Sequence, residues 1–88
     1  MKALSSNSDL YEYLNQLEAN LRKHGATDLA DAVGFAGRQA SSTSTEFLGE
    51  SRIALRSVSS LGRIALTGQE RSDLDDVLRQ LDAALDRR

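Results

Sequence analysis

The chain has no cysteine, no proline and no tryptophan, and a single histidine, in 88 residues. Lack of cysteine excludes disulfide staples and thiolate metal sites. With His24 alone there is no imidazole pair to hold a metal, and no carboxylate stands three or four residues away from it within one helix. Aromatic residues are also few, two tyrosines and two phenylalanines, which leaves little with which to stack nucleic-acid bases. The formal charge of −2 offers no bulk attraction to nucleic acid or to an anionic membrane. No apolar run approaches the roughly 20 residues of a membrane span. The opening Met1-Lys2-Ala3-Leu4 turns polar at Ser5-Ser6-Asn7-Ser8 instead of building the apolar stretch of an export signal. The expectation is a cytoplasmic protein with no membrane attachment.

What is present favours helix. Leu and Ala dominate the apolar residues, β-branched residues are scarce, and nothing like proline interrupts the chain. Hydrophobic residues make up 40% and charged residues 27%, ordinary values for a folded domain. The length fits one domain over residues 1–88, with residues 1–7 read as a flexible N-terminus.

Four amphipathic segments follow, over about 8–24, 28–40, 46–61 and 69–86. In the first, Leu10, Tyr13, Leu14, Leu17 and Leu21 share one face at 100° per residue. Ser8 or Asp9 is placed to cap its start, and Gly25 favours the left-handed conformation that ends a helix, with His24 in the last turn. The second opens at a capping Thr27. It carries a narrow stripe of Leu29, Val33, Ala36 and Ala40, and a second face of small residues, Ala30, Gly34 and Gly37, which predicts a close helix crossing. The polar run Ser41-Ser42-Thr43-Ser44-Thr45 reads as a loop whose last residues cap the third helix. That helix buries Phe47, Leu48, Ala54, Leu55, Val58 and Leu61, and Gly62 either ends it or lies within it. Thr67-Gly68-Gln69-Glu70 has the form of a capping box. It precedes the cleanest apolar stripe in the chain: Leu74, Val77, Leu78, Leu81, Ala84 and Leu85. Short connections and helices of similar length predict an all-α, compact antiparallel four-helix bundle, the alternative being a three-helix core with a docked fourth helix.

Catalytic chemistry finds little support. The carboxylate pairs Glu46/Glu50, Asp75/Asp82 and Asp82/Asp86 lack the Glu-x-x-His motifs of di-metal bundles. The glycines match no phosphate-cradling pattern, and the serines sit where caps and loops want them. The expectation is a protein that is not an enzyme and uses no metal or cofactor.

Two surfaces remain. Arg52, Arg56 and Arg63 align on one side of the third helix if it runs through Gly62. Residues 36–71 hold five arginines against three glutamates, a local charge of +2, so the stripe is a candidate electrostatic contact, for phosphates in the nucleic-acid alternative or for the acids of the fourth helix. The same helix has a second seam of Ile53, Ser57, Ser60 and Ile64 nearly opposite its core face, and Phe35 and Tyr11 also lie off their stripes. Apolar residues on faces that should be wet resemble an interface. Phe35, Ile53, Ser57, Ser60 and Ile64 are therefore the candidate contact residues of a small protein–protein interaction or regulatory module, expected to bind a protein partner or itself as a homodimer.

Overall fold

The computed structural model describes Leu4 and residues 6–86. Those residues form four α-helices and no strand: α1 (Asn7–Lys23), α2 (Thr27–Arg38), α3 (Ser44–Leu61) and α4 (Gly68–Asp86), with single 3-10 turns at Gln39–Ser41 and Arg63–Ala65. The fold is all-α.

Local chemistry sets each helix end. Ser6 caps α1, accepting the Asp9 amide at 3.3 Å. The expected start at Ser8 or Asp9 therefore moves upstream, and Asp9 falls in the first turn, where an acid suits the dipole. At the other end Gly25 adopts φ +83°. Its amide bonds to Arg22 O and the Ala26 amide to Leu21 O, the paired bonds of a Schellman motif. Ala26 then also begins α2, because the Ala30 amide donates to Ala26 O. One residue closes the first helix and opens the second, so Thr27 is the first residue inside α2 and not its cap. Thr43 caps α3 by accepting the Glu46 amide at 3.2 Å. The capping box of α4 is complete: Glu70 N–H donates to Thr67 Oγ1 at 3.1 Å and Thr67 N–H donates to Glu70 Oε1 at 2.8 Å.

The helices run alternately up and down. Arg22 of α1 bonds to Asp31 of α2, Leu29 of α2 lies against Gly62 just beyond α3, and Arg52 of α3 reaches Asp82 of α4. The ends of α1 and α4 are tied by Asn20 Nδ2 to Glu70 Oε2 at 2.5 Å and by Leu4 N–H to Gln80 Oε1 at 2.8 Å. Residues 1–3 and 5 of the expected flexible N-terminus lie outside the described residues. Leu4 has this bond, while Ser6 and Asn7 belong to the start of α1.

All four helices feed one core. Leu10, Leu14, Leu17 and Leu21 meet Ala30, Val33 and Ala36, then Phe47, Leu55 and Val58, then Leu74, Val77 and Leu81, with Leu66 sealing the α3–α4 connection. Because α4 supplies three fully buried side chains, it is a structural member of the bundle, not a docked accessory. Three expected core residues are exposed: Ala40, in the 3-10 turn after α2, Leu61 at the end of α3, and Ala84 on α4. Conversely, Ser51 on α3 and Asp76 on α4 are buried.

The atoms nearest a Cβ built at Gly34 or Gly37 belong to side chains of α1. A Cβ on Gly34 would meet the Glu18 carboxylate, 2.6 Å from Oε2, and one on Gly37 would find only Asn15 Oδ1 at 3.9 Å. The Glu18 side chain of α1 fills the space over Gly34, whereas the space over Gly37 is open.

Candidate interaction surface

The end of α3 decides the geometry of both candidate surfaces. Gly62 is the C-cap of α3, with φ −115°, and the Gly62 amide bonds to Val58 O. The chain then makes a 3-10 turn. A continuous face through Gly62 is therefore absent: Ile53, Ser57 and Ser60 stay on α3, while Ile64 and Arg63 belong to the turn that follows.

The arginines are engaged within the chain. Arg52 Nη1 lies 3.3 Å from Asp82 Oδ1 and 3.5 Å from Asp86 Oδ1, and Arg56 Nη2 lies 3.0 Å from the same Asp82 oxygen. Arg63 grips Asp75 at 2.9 Å and also touches Ser59 Oγ. Despite the break at Gly62 the three residues form a ladder joining α3 and the following turn to α4. Hydrogen bonding to Asp75 holds the Arg63 guanidinium above its ordinary pKa, and the same bond lowers the Asp75 carboxyl. The Arg56 and Arg63 pairs are largely open to solvent and contribute little stability each, while Arg52 is partly buried.

The apolar candidates are exposed, as their off-stripe positions imply. Phe35 is 50% exposed, Ile53 61% and Ile64 92%. Ser60 is exposed, and the half-buried Ser57 hydroxyl donates to Ile53 O at 3.3 Å. Phe35 and Ile53 lie at similar heights. Leu29 is opposite Gly62, so in antiparallel register Phe35, six residues further along α2, is level with Arg56, six residues before Gly62. Ile53 and Ser57 are within one helical turn of that level. Ile64 stands at the far end of the bundle with Leu61, which is 76% exposed and borders a cleft lined by Gly25–Leu29.

A further seam on α2 escapes a search for apolar residues. Asp28, Asp31, Phe35 and Arg38 recur at intervals of three, four and three residues, the spacing of a coiled-coil seam, and all four are exposed. Asp31 pairs with Arg22 of its own chain, whereas Arg38 makes no ion pair among the described residues. The seam was legible in the spacing, but its charged members read as ordinary solvated positions.

The rest of the molecule offers less. An apolar cleft of about 210 Å³ lies between the start of α1 and the end of α4, lined by Leu4, Leu10, Leu48, Leu81 and Ala84 with Gln80. Tyr13 is buried, and its phenol is pushed to a higher pKa first by that burial and then by Asp73, Glu70 and Asp75. His24 forms the C-cap of α1 with Nδ1 2.8 Å from Asn20 O. Among the described residues no three His, Cys, Asp or Glu side chains gather to hold a metal ion, and no helix is long and apolar enough to cross a membrane. No protein-family model, curated protein or solved structure matches this chain.

Proposed function

We propose that the chain is a small helical protein–protein interaction module whose outer α2 and α3 surface, centred on Phe35 and Ile53, binds a second copy of itself. The observation that carries this reading is the exposure of two large apolar side chains, Phe35 at 50% and Ile53 at 61%, on neighbouring helices, outside a core already filled by all four helices. Single exposed apolar residues are common. An aromatic and a branched aliphatic side chain on adjacent helices make a better seed for an interface, whose buried centre is enriched in aromatic residues. Pairing of Arg52, Arg56 and Arg63 with α4 carboxylates supports reading those arginines as struts of the bundle, because a phosphate backbone would have to displace Asp75 and Asp82 first. Such prior engagement favours self-association over the nucleic-acid alternative.

Sedimentation equilibrium over a concentration series, at low and moderate salt, tests the reading. The expected result is a monomer–dimer equilibrium that persists in salt, with Phe35→Asp or Ile53→Asp shifting it to monomer while helicity stays at the wild-type level. A monomer at every concentration refutes it.

A further inference from the structure

We infer that the dimer is isologous and antiparallel, with α2 packed on α2 of the second copy, Phe35 beside the two-fold axis and Asp31 of each copy paired with Arg38 of the other. This inference rests on the self-association proposed above and adds the register, the symmetry and the charges that select the partner.

The α2 seam supplies the geometry. Asp31, Phe35 and Arg38 lie within about 60° of one another at 100° per residue, and all three are exposed. Gly34 turns toward Glu18 of α1 and Leu29 toward Gly62 beyond α3. Phe35, 100° from Gly34 and 120° from Leu29, therefore occupies the middle of the outward arc. The two charges have opposite sign and stand at nearly equal distances on either side of it, four residues before and three after.

A two-fold axis perpendicular to α2 reverses the helix direction and leaves unchanged the side of the seam to which each residue belongs. Placed level with the peptide between Gly34 and Phe35, it sets Asp31 opposite Arg38 of the second copy, both about 5 Å from the axis along the helix, and repeats that pair by symmetry. Asp31 and Arg38 lie only 20° apart around α2, so both pairs form on one side of the contact. The two Phe35 rings meet on the other side, toward α3 and Ile53. A self-complementary patch is what an isologous interface requires.

The parallel arrangement fails the same comparison. It places Asp31 beside Asp31, Asp28 beside Asp28 and Arg38 beside Arg38, like charge on like at every charged position of the seam. Charge pattern thus selects one orientation while Phe35 supplies the apolar anchor, a division of labour expected of interfaces. Arg22, which already contacts Asp31 at 3.2 Å, would flank each intermolecular pair and leave both Asp31 oxygens with cationic partners.

Charge reversal tests the register independently of the self-association. Arg38→Asp and Asp31→Arg are purified separately, their helicity is compared with wild type, and each is measured by sedimentation equilibrium alone and as an equimolar mixture. Each reversal alone converts both symmetry-related attractions to repulsions, so the dimer dissociation constant should rise tenfold or more at low salt. In the mixture the two reversed charges face each other across the axis with their signs exchanged, and a heterodimer should form at the wild-type concentration. If Phe35→Asp yields monomer but Arg38→Asp dimerises as wild type does, self-association stands and this register is overturned. If both single reversals weaken the dimer and the mixture fails to recover, the antiparallel pairing is overturned as well. A wild-type chain that is monomeric throughout removes the premise itself.

Discussion

Gly37→Ala should stabilise the fold. A glycine inside a helix costs about 0.5–1 kcal/mol relative to alanine because the unfolded chain gives up more backbone freedom on folding. The gain is realised only where the new methyl group meets no obstacle, and at Gly37 the nearest atom outside its own helix would be Asn15 Oδ1, 3.9 Å away. For a domain of 60–100 residues, 1 kcal/mol corresponds to about 4–8 °C in Tm, so the expected rise is about 2–8 °C. Thermal unfolding followed by circular dichroism at one fixed protein concentration measures it. Gly62→Ala is the contrasting control: its methyl would lie 2.7 Å from Leu29 Cδ1 and 3.2 Å from the backbone oxygen of Val58, so Leu29 must shift and the rise in Tm should be smaller than for Gly37→Ala. Gly34→Ala must displace the Glu18 carboxylate, the end of a flexible side chain that pairs with Arg22 at 2.8 Å, so it should gain less than Gly37→Ala. A lower Tm for Gly37→Ala would mean that α1 and α2 approach more closely there than the structure shows, and would refute the reasoning from open space.

Leu81→Ala empties a fully buried position on the core face of α4 and should cost about 2–5 kcal/mol, read from the urea midpoint; a cost below 1 kcal/mol would show that this face is not packed. Alkaline titration should also discriminate. The folded state raises the Tyr13 pKa above its ordinary value of about 10, so it binds the phenolic proton more tightly than the unfolded state does, and its stability is whole below pH 10 and falls as pH rises beyond it. Phenolate absorbance from Tyr13 should then appear together with loss of helicity, and Tyr13→Phe should remove that late absorbance. Ionisation of Tyr13 in a chain still fully helical would contradict its burial.

Periodicity made the helices legible because each must bury a stripe. Leu74, Val77 and Leu81 follow it so closely that the inward face of α4 needs no other information, and the capping box at Thr67–Glu70 marks its start without ambiguity. Boundaries were less legible wherever two motifs share a residue. Thr27 looks like a cap in isolation, and only the Schellman bonds through Ala26 displace it into α2. Gly62 was compatible with either an internal or a terminal position. Its amide is satisfied by Val58 O in both cases, so that bond alone does not decide between them. Ser51 illustrates what polarity-based reading misses. It lies fully buried, its hydroxyl without a hydrogen-bond partner among the described residues, because the position on α3 faces the core whatever side chain occupies it. Among the candidate contact residues, the exposure of Phe35 and Ile53 followed from helical angle alone. Separation of Ile64 from them did not, since it depends on the break after Leu61, and the arginine partners on α4 required the register of two helices.

The close helix pairings in this bundle are α1 with α2, α2 with α3, and α3 with α4, each between elements adjacent in the chain. Every such pairing closes a short loop, so little chain entropy is lost before contacts form, and helical proteins built this way fold in microseconds to milliseconds. Asn20–Glu70 and Leu4–Gln80 are the long-distance ties, joining residues 50 and 76 positions apart. They join the first helix to the last, so the two ends of the chain are held to one another as well as to their neighbours in sequence.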